Sequence, residues 1–204
     1  MGIYTGLIRE IRSDGAGLSA WIDCPAPAIP AAGQYLTAWS PEDAAAALAI
    51  ALFPAEMEVG GFLAAPTIPS QWGPGMALQL RGPSGKGFRL PANTRRLALA
   101  ALGDTPARLR PIIIEGLSAD LAVALFTDLP VTDLPAAVEI FPAREVAEAL
   151  SWADLLLLDL PVEKLNTLRK TLQLGADQRL PCPAQALVLT GMPCGGCNAT
   201  HSWL

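Results

Sequence analysis

PGMALQLRGPSGKGF, residues 74–88, is the stretch on which the chain divides. It opens as a strand, MALQLRG at 76–82, and closes on the glycines Gly82, Gly85 and Gly87. Glycine accepts positive φ and close backbone approach, so the run predicts a tight turn where one kind of structure passes into another. Upstream of it lie the short runs IYTGLIREI (3–11), LSAWIDC (18–24), QYLTAW (34–39), ALAIALF (47–53) and GFLAAPT (61–67). SDGAG, PAPAIPAAG, SPEDA and SQWGPG separate the upstream runs and supply the Gly, Pro, Asp and Ser that turns demand. With 76–82 these make six strands, and their spacing predicts a small antiparallel barrel over residues 1–90. The Ala-rich segment 44–51 reads equally well as helix by propensity.

Downstream the pattern alternates. RRLALAALG (95–103) is an apolar strand, and DTP then opens a helix with Asp104 or Thr105 as its N-cap and Pro106 in its first turn. LAVALF (121–126), VEIF (138–141), DLLLLDL (154–160) and QALVLT (185–190) read as buried strands, AREVAEAL (143–150) and VEKLNTLRKTLQL (162–174) as helices. Such alternation predicts a parallel sheet covered on both faces, hence a doubly wound α/β unit over 91–190 and a cysteine-containing tail over 191–204.

Composition narrows the partners. The 204 residues carry a net charge of −5, with 51% hydrophobic and 16% charged residues, and lack the clustered Lys and Arg that a nucleic-acid backbone requires. No apolar run approaches the ~18 residues of a membrane span, and MGIYTGLIREIRSDG has no basic and apolar leader pattern, so a cytoplasmic protein is expected. Some of the hidden apolar surface is expected to meet another subunit.

These features together resemble one family. A barrel joined to an α/β unit through G-P-x-G-x-G-F, with GQYLTAW (33–39) and MPCGG (192–196), is similar to the electron-transfer subunit of dihydroorotate dehydrogenase, in the ferredoxin–NADP reductase superfamily. The resemblance implies a six-stranded antiparallel barrel that holds FAD, followed by a parallel-sheet Rossmann-like domain and a cysteine segment that holds a [2Fe–2S] cluster. It further implies electron transfer between flavin and cluster toward a catalytic oxidoreductase partner, within pyrimidine synthesis. Carried over residue by residue, it places Tyr35, Phe53, Arg81, Gly82, Gly85, Gly87 and Gly103 at cofactors, and Cys194 and Cys197 at the metal.

The departures from the family pattern are specific. Where the family has an Arg-Pro-Phe/Tyr-Ser type segment against the flavin, ALAIALFPAE (47–56) has neither Arg nor Ser, leaving Arg81 and Lys86 as nearby cations. GPSGKG is no Walker loop, since the required glycine five places before Gly85 is Leu80. Where a nicotinamide cofactor needs a glycine-rich loop, LGDTPARL (102–109) offers Gly103 alone and an Asp, so NAD binding is not expected. Asp104 and Asp159 are each expected to cap a helix.

The tail leaves three readings open. Cys194 and Cys197 stand in a C-x2-C spacing, and the chain stops before the family's later cysteines, as a C-terminally shortened cluster segment would. Cys194, Cys197 and His201, with Cys182, have zinc-like spacing, and the Gly-Gly and Asn-Ala-Thr composition suits an unliganded end. The sole His lies in this tail, so no Ser-His-Asp arrangement is expected. The competing functional reading is a scaffold subunit that keeps the reductase fold without its cofactors.

Overall fold

A computed structural model describes residues 2–14, 17–41, 49–131, 133–172, 180, 182–189 and 200–201. The short runs of the first half form β1 (Gly2–Asp14), β2 (Gly17–Asp23), β3 (Tyr35–Trp39), β4 (Ile50–Leu52), β5 (Pro54–Glu58), β6 (Gly61–Ala64) and β7 (Ala77–Ser84). They pair antiparallel in one curled sheet of order β4-β3-β7-β1-β2-β6-β5, seven strands where six are expected. The added strand, β5, begins on Pro54 and is supported on β6 alone, as an edge position without a donated N–H permits. Alternation along these strands turns Ile8, Ala20, Ile22, Leu36, Phe62, Leu78 and Leu80 into the curl, where each is fully buried.

The second sheet is assembled from β8 (Arg96–Ala101), β9 (Ala122–Phe126), β10 (Val138–Phe141), β11 (Leu155–Pro161) and β12 (Ala184–Leu189), all parallel in the order β10-β9-β8-β11-β12. A two-residue strand β13 (Thr200–His201) adds antiparallel to β12, an element absent from the sequence expectation. The helices are shorter than their periodic runs. Each follows a 3-10 turn: α1 (Arg110–Ser118) after Ala107–Leu109, α2 (Val146–Trp152) after Ala143–Glu145, α3 (Leu165–Thr171) after Val162–Lys164.

Apart from the edge strand β10, both faces of the parallel sheet are buried, as its apolar strands require. One face carries Ala98, Ala100, Ala124, Leu156 and Leu158 and packs with α2 and α3. The other carries Leu97, Leu99, Leu125, Leu155 and Leu157, packs with α1, and shares a single core with Trp21, Tyr35, Phe53, Ala55, Leu63 and Phe88 from the outer face of the curled sheet. The two sheets therefore meet through a common apolar layer.

Asp154 ties the entry of this sheet. Its carboxylate accepts the backbone N–H groups of Arg95 and Arg96 at 3.0 Å each and the Arg96 guanidinium at 3.0 Å. The Arg96 hydrogen bond, followed by those from the backbone, holds its carboxyl below the ordinary carboxylate range. A depressed folded-state pKa contributes stability above the unfolded value of about 3.9 and loses it as pH falls through the folded value. Asp154→Asn is therefore expected to flatten the acid limb of the stability curve. Urea midpoints measured from neutral pH to below pH ~4 check this, and an unchanged acid slope would contradict it.

Candidate functional site

Open α/β sheets present ligand crevices beyond the carboxyl ends of their strands, and here the ends of β8 and β11 lie side by side. At this edge an arginine fills the space. Arg108, in the turn before α1, is 4% exposed; its Nε donates to Asp159 Oδ2 at 2.8 Å and its Nη2 to Asp159 Oδ1 at 3.3 Å, a bidentate pair. The same Nη2 donates to Asp104 Oδ1, and the guanidinium lies 5.8 Å from the ring centroid of Phe53 in the curled sheet. Asp159 is 0% exposed at the end of an otherwise apolar strand. Burial pushes its carboxyl up against the pull of Arg108, while the two carboxylates overcome burial to hold Arg108 above its ordinary value.

The expected helix caps are corrected by this geometry. Neither Asp104 nor Asp159 caps a helix; both spend their oxygens on Arg108. Thr105 Oγ1 accepts the Ala107 N–H at 3.1 Å instead. Three further bonds brace the loop: the Leu102 N–H reaches Asp159 O at 2.8 Å, Lys164 Nζ donates to Leu102 O at 2.7 Å, and the Leu109 N–H reaches Pro106 O at 3.0 Å. Arg108 was legible from sequence only indirectly, as the partner four residues from Asp104 and as the cation that Asp159, set among the leucines of DLLLLDL, demands.

The remaining candidates fall into separate places. Tyr35 and Phe53 meet at 5.5 Å between ring centroids, tilted by 39°, and are 3% and 6% exposed within the shared core. Gly82, Gly85 and Gly87 have φ of 148°, 89° and 72° and fold the connector back on the start of β3. There the Phe88 N–H donates to Ala32 O at 2.8 Å and Gln34 Nε2 to Gly85 O at 3.1 Å. A Cβ on Gly87 would stand 3.1 Å from Ala32 O, so protein already fills this glycine surface. Arg81 is exposed opposite Thr37, Lys86 is exposed in the turn, and Gly103 lies in the bend after β8. Gln185 clips the connector to β12, accepting the Arg89 N–H at 3.0 Å and donating to Arg89 O at 2.7 Å.

A cleft of about 200 Å³ opens between the sheets, lined by Arg12, Ser19, Glu56, Leu63, Thr105 and Arg110 among others. Glu56 sits between its two arginines, 2.7 Å from Arg110 and 3.9 Å from Arg12. The cleft lies below the ~300 Å³ at which ligand pockets usually begin.

Cys194 and Cys197 lie outside the described residues, as does the His201 side chain. Among the described residues no group of three His, Cys, Asp or Glu is placed to hold a metal ion. Cys182 is buried and its thiol is pushed up by burial; Cys24, far away in the curled sheet, is pushed up to about 11 by burial and then by Asp23.

By sequence the chain matches no family model and no curated protein. By structure it is similar to the ferredoxin reductase in carbazole 1,9a-dioxygenase in its FAD apo form, at a TM-score of 0.66 and 16% identity, over 92% of this chain and 66% of that one. It is also similar to an Amycolatopsis cytochrome P450 reductase, at 0.66 and 12% identity over 92% and 70% of the two chains. The flavohaem-like FAD/NAD-binding domain of nitric oxide dioxygenase from Vibrio cholerae O1 biovar El Tor matches at 0.62 and 14% identity, over 92% and 98%. The chain has the ferredoxin–NADP reductase-like fold. It spans about two thirds of the length of the carbazole dioxygenase reductase, 66%. No helix among the described residues is long and apolar enough to cross a membrane.

On this reductase-like fold, the cation at the end of β8 is committed to protein carboxylates. Asp104 also adds negative charge there, where the phosphates of a nicotinamide cofactor would need donors. The Phe53 face is shared with Arg108, and the glycine turn is closed on Ala32 and Gln34.

Proposed function

We propose that this chain is an electron-transfer-type subunit of an oxidoreductase that acts with a catalytic partner protein. The observation that carries this reading is the pairing of a curled antiparallel sheet with a parallel α/β sheet, the architecture of the reductases it is similar to. In its fullest form, electrons pass between FAD on the 1–90 unit and a [2Fe–2S] centre on Cys194 and Cys197, toward a partner such as dihydroorotate dehydrogenase. When bound, those cofactors supply the redox chemistry; the protein supplies position and electrostatics.

A second reading, a scaffold subunit that keeps the fold without its dinucleotides, is favoured by one observation: the Arg108–Asp159 pair stands in the crevice at the ends of β8 and β11.

The two readings separate in the visible spectrum of protein purified and then incubated anaerobically with FAD, iron and sulfide. Retention of a flavin band after gel filtration, with iron and sulfide in stoichiometric amounts, is the outcome expected of the electron-transfer subunit. A colourless, folded protein would leave the scaffold reading and remove the first.

A further inference from the structure

The crossover from β9 to β10 leaves one face of the parallel sheet thinly covered. The described residues of 127–137 contain no helix, and they pack through Val131 and Leu134 on the face that carries α1. On the opposite face, α2 and the 3-10 turn before it lie beside β9 and β10. A groove of about 250 Å³ remains between α2 and β10. Its floor is Ala124 with the stacked rings of Phe126 and Phe141, 5.3 Å apart at 21°, and Trp152 forms a wall. Its rim is Glu139, Glu145 and Glu148.

We propose that this groove takes an arginine or lysine side chain from an extended, basic segment of a partner protein. Three observations converge on that occupant. The aromatic surfaces offer π-faces to a cation, and the rim supplies carboxylates that suit a guanidinium fork or an ammonium. The only rim carboxylate with an ion pair is Glu145, with Arg144 at 3.4 Å and 78% exposed; Glu139 and Glu148 have none among the described residues. Finally, β10 is the edge of its sheet, so an extended chain can pair along it and lower a side chain into the adjoining groove. The net charge of −5 adds long-range attraction for a basic segment. This proposal does not depend on any cofactor.

The test uses the full chain and a blocked, extended peptide of alternating valine and arginine, titrated calorimetrically and by Trp fluorescence. Saturable binding is expected at low ionic strength, weakening as salt rises to about 0.15 M, where the screening length falls to ~8 Å. Glu139→Gln with Glu148→Gln, both exposed positions, is expected to raise Kd roughly tenfold, or about 1.4 kcal/mol. Trp152→Leu is expected to abolish the fluorescence change. A matching valine–glutamate peptide should not bind. Absence of saturable binding at low salt, or an affinity unchanged in the glutamine double variant, would overturn the proposal. So would concentration-dependent dimerisation lost in that variant, which would assign the groove to a second copy of the chain.

Discussion

Arg108→Ala is expected to lower the unfolding free energy by about 3–5 kcal/mol, the usual loss when one partner of a buried ion pair is removed. Asp159 would then be left fully buried with no cation, at the centre of the edge where β8, β11 and the turn before α1 meet. The loss also reaches the other sheet, because the guanidinium lies over Phe53. Urea denaturation at neutral pH measures it. Combining Arg108→Met with Asp159→Leu is expected to recover most of the loss, since replacing both charges by apolar groups removes the desolvation penalty. Asp104→Asn should matter far less: its side chain is 60% exposed, and Arg108 keeps its bidentate partner. A single Arg108→Ala variant that loses less than ~1 kcal/mol would show the pair to be solvated.

Gly33→Ala is expected to lower stability by roughly 1–3 kcal/mol through backbone strain, plus the consequences of a direct clash. Gly33 has φ of 76°, and a Cβ there would stand 2.9 Å from the Phe88 backbone nitrogen, which already donates to Ala32. The connector from β7 to β8 would have to lift off β3. Gly60 isolates the strain from the clash, because its φ is 94° with nothing within 4 Å of the added carbon. Gly60→Ala is therefore expected to show only the left-handed penalty, about 1–2 kcal/mol. Thermal midpoints of the two variants check the order. Equal losses would mean that the connector does not rest on Gly33 as described.

The fold was legible because hydrophobic periodicity changes at the glycine turn. Strict alternation such as in MALQLRG can bury only one face, while runs such as DLLLLDL must be covered on both, and the two sheets follow from that difference. β5 was hidden because Pro54 and the charges of Glu56 and Glu58 look like a turn; only β6, lying beside it, makes PAEME a strand. β13 was equally invisible, since two residues carry no period and are strand only through β12. The helices ended up shorter than their apolar patterns because each begins with a 3-10 turn that the pattern does not distinguish.

The candidate site was less legible than the fold. Asp104 and Asp159 carry the right residue type for caps, and nothing local contradicts that role. What redirects them is a guanidinium that reaches Asp159 from 51 positions away in the chain. Cys182 is buried, a placement that its spacing to the tail does not reveal.

By itself, then, the sequence determined the two sheet types, the turn that joins them and the negative charge of the whole, because each depends on residues that are neighbours along the chain. Only the tertiary structure decided that Arg108 and Asp159 close the crevice of the parallel sheet, and that Phe126, Phe141 and Trp152 line a groove with glutamates above them. Those properties depend on the field and the surface made by residues far apart in sequence, and folding alone brings such residues within the few ångströms over which hydrogen bonds and ring contacts act.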